Sequence, residues 1–130
     1  MGNVSGYQLL LWSEDPDTLQ KFYRDVLEFK PLGNLTLKDD YGYGFKVGKQ
    51  RIWIGKHSEV KGRNKDKFRF ILNFYTKDVY KWYEKLKKVK QVTIVAPPFE
   101  TPPTRTKKKK RYAFTFLDPE GNCLQFMSDK

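Results

Sequence analysis

Apolar residues recur every three or four positions in two stretches of the chain, each behind an aspartate, and short apolar runs of strand character surround both. In the first stretch Asp15 can accept from the amides of an opening helical turn and Pro16 suits the first helical position. Leu19, Phe22, Tyr23, Val26 and Leu27 then fall on one face. In the second, Asp78 takes the cap position, and Val79, Trp82, Tyr83, Leu86 and Val89 form the buried stripe of a helix whose other face is rich in lysine. A strand-like run precedes each helix, Tyr7 to Trp12 and Phe68 to Tyr75. Three more follow each: Lys30 to Leu37, Tyr43 to Val47 and Arg51 to Gly55, then Val92 to Ala96, Arg111 to Leu117 and Cys123 to Met127. Gly42, Gly44 and Gly48 read as bends, Asp118-Pro119-Glu120-Gly121 as a tight turn, and Pro97 to Lys110, with its four prolines, as an exposed loop.

The order is β-α-β-β-β twice, and the halves share a register. Gln8 stands seven residues before Asp15, and Ile71 seven before Asp78; Leu19 and Tyr23 lie four and eight after the first cap, as Trp82 and Leu86 do after the second. This spacing predicts an α+β fold of two paired βαβββ modules forming a cupped mixed sheet with the helices outside. The chain reads as one domain over 1–130, with module one at about 5–57, a polar linker at 58–67 and module two at about 68–128.

Composition narrows the picture. With 38% hydrophobic and 16% aromatic residues in 130, the chain can bury its own core despite 32% charged residues. One cysteine, Cys123, cannot form an internal disulfide, and no Cys/His pattern has metal-ligand spacing. The first residues lack a basic leader, and Leu9 to Trp12 is too short to span a bilayer, so a cytoplasmic location and no membrane partner are expected. A net charge of +11 favours anionic partners. Its lysine-rich segments, Lys61 to Arg69, Lys77 to Lys90 and Arg105 to Arg111, read first as solvated surface.

Two motifs carry a family resemblance. Asp15 to Phe29 reads DPDTLQKFYRDVLEF and Asp118 to Phe126 reads DPEGNCLQF. They resemble the FYRDVLGF and DPDGNxLEL segments of the vicinal-oxygen-chelate superfamily, which includes glyoxalase I, extradiol dioxygenases, fosfomycin-resistance enzymes and bleomycin-binding proteins. The resemblance implies a cavity under each cupped sheet, a homodimer and, in metal-dependent members, a divalent cation held from the first and last strands of the modules. Those positions fall on Gln8, Trp53, Ile71 and Gln125. Two neutral amides, an indole and an aliphatic chain supply neither charge nor imidazole, so no metal cofactor is expected.

Strand alternation sets Trp12 on the face of Gln8, sets Arg69, Asn73 and Tyr75 with Ile71, and sets Cys123 with Gln125. Together with Trp53, these residues are the candidate ligand-binding set. His57 and Cys123 have no nameable catalytic partner, so no catalytic residue is assigned. The leading expectation is metal-independent binding or sequestration of a neutral or anionic small molecule, since a cationic drug such as bleomycin would be repelled. A glyoxalase-like lyase or isomerase, or a dioxygenase, with non-standard metal ligands is the enzymatic alternative. The stretch Thr104 to Tyr112, TRTKKKKRY, offers a third reading: a basic module with weak, non-specific nucleic-acid binding.

Overall fold

Strand β1 (Leu9–Ser13) runs into helix α1 (Pro16–Lys21), where Asp15 Oδ1 accepts from the Thr18 amide at 3.2 Å. The computed structural model describes residues 2–38, 40–102 and 110–128. Beyond Lys21 the helix widens into a π-helical turn, Phe22–Val26, closed by Leu27 N donating to Phe22 O at 3.1 Å. Leu19, Phe22, Tyr23 and Leu27 are buried, whereas Val26 is half-exposed, because the extra residue in the wide turn rotates it off the stripe.

Strands β2 (Lys30–Leu37), β3 (Asp40–Val47) and β4 (Gln50–Lys56) complete the first module in the order β1-β4-β3-β2, with β1 and β4 parallel. Helix α1 lies against β1, β3 and β4, and Phe45, Ile52 and Ile54 are buried. The Tyr41 and Tyr43 hydroxyls both donate to the Asp17 carboxylate and tie β3 to the helix. Those two hydrogen bonds, Tyr41's the larger effect, hold the Asp17 carboxyl below the usual range.

The second module repeats the plan: β5 (Leu72–Thr76), α2 (Val79–Leu86), β6 (Thr93–Glu100), β7 (Tyr112–Leu117) and β8 (Cys123–Ser128), ordered β5-β8-β7-β6 with β5 and β8 parallel. Its core is a phenylalanine cluster. Trp82 of α2 stacks on Phe126 at 4.7 Å between ring centres, and Phe74, Phe114 and Phe116 lie within 5.8 Å of the same ring. The fold is thus α+β, each module closing its own four-stranded mixed sheet.

Four expectations change. The run from Phe68 becomes a strand only at Leu72, because pairing with β8 begins there and Arg69 N donates to Asp66 O in a preceding turn. Asp78 sits at the cap of α2, but its side chain accepts no capping bond; instead the Thr76 hydroxyl accepts from the Asp78 amide at 3.1 Å. Pro97 and Pro98 lie in β6, not in a loop. The edge position and the register shifts against β7 accommodate residues without an N–H. Gly42 and Gly44 lie inside β3 and do not bend the chain away from the sheet. Residues 103–109, including most of TRTKKKKRY, lie outside the described residues.

The chain divides into two compact units, Met1–Gly62 and Arg63–Lys130. The linker divides with them. On one side Gly62 N donates to Glu14 Oε1 at 3.1 Å. On the other, Arg63 donates to Pro119 O at 2.6 Å and Asn64 N to Glu120 O at 2.8 Å, clamping the Asp118–Asn122 turn. Asp118 organises that turn from within, accepting from the Glu120 and Asn122 amides at 2.9 and 3.0 Å.

Replacing Phe126 by Ala leaves a cavity among four aromatic rings, and a loss of about 3–5 kcal/mol is expected in urea unfolding. Asp17, with its lowered value, contributes stability above the ordinary Asp range, and that contribution disappears as pH falls through the lowered value. Asp17→Asn therefore flattens the loss of stability between neutral pH and about pH 3; an unaltered pH profile would show that the tyrosine bonds contribute nothing.

Candidate functional site

On the first unit's sheet, strand pairing builds two cross-strand rows on the face away from α1. One row is Leu10, Trp53, Gly44 and Gly33; the other is Trp12, Gly55, Gly42 and Leu35. The indole of Trp53 lies over the second row. A Cβ added at Gly42 would meet Trp53 Cζ2 at 2.7 Å, and one at Gly55 would collide with Trp53 Nε1 and come within 2.8 Å of Trp12 Cζ3. Glycine is needed at Gly55 because the indole rings occupy the space of a side chain, and at Gly42 because the β4 backbone, Ile54 O at 2.5 Å and Gly55 Cα at 2.7 Å, fills that space together with the Trp53 ring. At Gly44 the same ring is at ordinary contact distance, 3.9 Å.

The Trp53 ring borders a groove of about 290 Å³ walled by Leu32 and Leu35, with Gln8, Asn34 and Arg51 as its polar groups. Trp12 is partly exposed beside it, and His57 meets Trp12 edge-on at 5.4 Å. The His57 Nδ1 accepts from the Glu59 amide at 3.1 Å, so that nitrogen is already engaged. Gln8 and Trp53, matched in the sequence, therefore line the same groove, and Trp12 joins them across Gly55.

The second unit's equivalent face has different chemistry. Thr115 Oγ1 donates to Gln125 Oε1 at 3.1 Å, Gln125 Nε2 donates to Asn73 Oδ1 at 3.2 Å, and Asn73 Nδ2 reaches only the Met127 sulfur, at 3.8 Å. Tyr75 is exposed one strand repeat beyond Asn73, with the Arg111 guanidinium 5.8 Å above its ring centre. Ile71 is exposed just ahead of β5. Arg69 precedes β5 in the turn, paired with Asp66. Cys123 shares strand parity with Gln125 but is buried, and burial raises its thiol above the ordinary range, which leaves it a poor nucleophile.

Strand register makes Trp53 and Gln125 equivalent. Trp53 pairs with Leu10 and Gln125 with Asn73, each partner five residues before its cap aspartate. A superfamily model, described as Glyoxalase/Bleomycin resistance protein/Dioxygenase, matches residues 7–126. The chain belongs to this superfamily. No curated protein matches it in sequence. Among solved structures it is similar to a glyoxalase family protein from Bacillus anthracis, with 19% identity, a TM-score of 0.70, and 100% of this chain and 99% of that one covered. It is also similar to lactoylglutathione lyase from Agrobacterium tumefaciens, with 20% identity, a TM-score of 0.67 and coverage of 97% and 95%. A glyoxalase/bleomycin resistance protein/dioxygenase family enzyme from Burkholderia phytofirmans gives 23%, 0.68, 93% and 95%. At these identities the likeness concerns the fold.

Superfamily membership raises the question of a divalent cation. Its four positions carry Gln8, Trp53, Ile71 and Gln125, and both ends of the Gln125 amide are already bonded to Thr115 and Asn73. No group of three or more His, Cys, Asp or Glu residues converges among the described residues. This donor set does not fit a hard cation, which needs several anionic or imidazole ligands at once.

Sequence reasoning overlooked Arg51, Asn34, Arg111 and the glycine floor. The alternation of Gly42 and Gly44 inside a run of strand spacing was the available signal: glycines two apart share one face and leave it bare. Gly55→Ala is expected to lift the indole and raise the exposure of Trp53, read as a red shift of tryptophan emission and a loss of stability. An unshifted spectrum would contradict the flat seating of the ring.

Proposed function

We propose that this protein binds a planar small molecule, neutral or anionic, by stacking it on Trp53, using its own side chains and no divalent metal. The observation that supports this most directly is the bare glycine floor. It seats a large aromatic ring parallel to the sheet beside an open groove, where a second ring can stack with one face already desolvated. Leu32 and Leu35 provide apolar walls; Gln8 and Asn34 can orient a neutral polar edge, and Arg51 can pair with an acid. The surplus of positive charge favours anionic over cationic ligands in the encounter. The enzymatic alternative, a lyase, isomerase or dioxygenase with non-standard ligands, requires a cation that the residues at the four positions are poorly suited to hold.

A ligand-observed NMR screen of planar aromatic compounds, followed by tryptophan fluorescence titration, tests the reading. Trp53→Ala is expected to weaken any hit about tenfold or more, as removal of one stacking platform does. Arg51→Met should weaken acidic hits and spare neutral ones. Hits whose affinity survives Trp53→Ala would overturn the stacking proposal. Separately, stoichiometric uptake of Ni, Zn, Fe, Mn or Co with a rise in melting temperature would favour the metal-dependent enzyme.

A further inference from the structure

The outer side of α2 carries a row of cations that leads to a pocket. Six lysines stand between residues 77 and 90 against two acids, Asp78 and Glu84. Glu84 pairs with Lys87 at 2.6 Å, and Lys85 lies over the Trp82 ring. Lys77, Lys81 and Lys88 are exposed, and no ion pair between described residues involves any of them. Lys81 and Lys88 are two helical turns apart, and the last turn reaches Lys88 through its amide, which donates to Lys85 O at 3.3 Å. Both therefore rise from one side of the helix, opposite the buried Val79 and Leu86 and about 10 Å apart along the axis.

At the start of this row Lys77 and Lys81 border a pocket of about 240 Å³ whose aromatic walls are Tyr80 and Tyr112. The two ring centres are 5.9 Å apart with planes inclined at 57°, and Tyr80 is 55% exposed, so a ring face remains open for stacking. Tyr112 shares strand parity with Phe114, which meets Tyr83 of α2. The pocket thus belongs to the helix side of the sheet, not to the face of Asn73 and Gln125. The Ser128 hydroxyl already serves the Tyr112 backbone, accepting from its amide at 2.7 Å and donating to its carbonyl at 3.2 Å. Asp78 also borders the pocket. A carboxylate there disfavours a phosphate inside the pocket and suits a ring with an amino edge.

Cations outside and a ring-sized aromatic pocket between them match a single strand, which offers phosphates and unstacked bases together. A duplex keeps its bases stacked and has nothing to place against Tyr80. A lipid surface would need an apolar helix face free to enter it, and Val79 and Leu86 are already buried. We infer that α2 is a docking surface for single-stranded nucleic acid: one base enters the pocket against Tyr80 and Tyr112, and neighbouring phosphates pair with Lys77, Lys81 and Lys88. The inference goes beyond the Trp53 reading and uses none of its residues.

The test is fluorescence anisotropy of the intact protein with a short labelled oligodeoxyadenylate, competed by a duplex of the same length, an abasic strand of the same length and phosphatidylserine vesicles. The single strand is expected to bind more tightly than all three competitors. Its log affinity should fall with log salt at a slope of about −2, as about three neutralised phosphates give, and Lys81→Gln or Lys88→Gln should each reduce that slope by about 0.7. Tyr80→Ala should weaken binding about tenfold, the scale of one lost stacking contact, while Tyr80→Phe, which keeps the ring, retains it. Lys49→Gln, in the first unit, should change nothing beyond a small loss from net charge. Equal binding of the abasic strand, the duplex or the vesicles overturns the inference, as does affinity that survives Tyr80→Ala. Binding that is lost when lysines 107–110 are replaced by glutamine, yet unchanged in Lys81→Gln and Lys88→Gln, assigns the strand to that run and overturns it too.

Discussion

An indole can lie flat on a β-sheet only where the strands beneath it carry no side chains, and in the first unit that condition is met by Gly42 and Gly55, paired with each other across β3 and β4. Each glycine weakens its strand, since it gives up more chain entropy and contributes no cross-strand packing. The large apolar face of Trp53, laid over both, offsets that loss. A larger residue at Gly55 would displace the ring, and one at Gly42 would also collide with the β4 backbone at Ile54 O and Gly55 Cα. The depth of the groove and the exposure of Trp12 both depend on this seating.

Duplication gave the two units the same scaffold and left their open faces free to differ. On the helix side both units need apolar residues, because α1 and α2 have to bury a stripe: Leu19 and Tyr23 in one, Trp82 and Leu86 at the equivalent spacing in the other. On the other side no such demand acts. Leu10 and Trp53 of the first unit correspond in register to Asn73 and Gln125 of the second, an apolar pair against a hydrogen-bonded amide pair. One unit therefore presents an aromatic platform, and the other a polar row ending at Arg111 and Tyr75.

Much of the positive charge has ordinary surface roles. Lys85 lies over the Trp82 ring at 5.0 Å, and Lys87 lies over Tyr83 while pairing with Glu84. Such exposed contacts contribute little individually to stability. Arg51 and Arg111 are different because each stands beside an aromatic ring, Arg51 with Trp53 along the first unit's groove and Arg111 over Tyr75. The net charge favours encounter with anions over cations.

The sequence by itself determined the modules, because helical periodicity, cap aspartates and the Asp118-Pro119-Glu120-Gly121 turn are local signals set by backbone geometry. Spacing from the cap put Gln8 and Ile71 at equivalent places, which fall one residue ahead of β1 and β5. Tertiary structure alone decided which side chains meet on the sheet faces. Gly42 and Gly55 are 13 residues apart in the chain and become one floor only through antiparallel pairing. Pro97 and Pro98 could enter a strand because that strand fell at an edge. Arg69, given strand parity by the sequence, pairs with Asp66 in a turn, and Arg111, just ahead of β7, reaches over the Tyr75 ring. Local propensity records which face a residue can take; only the register between strands decides which side chains meet there.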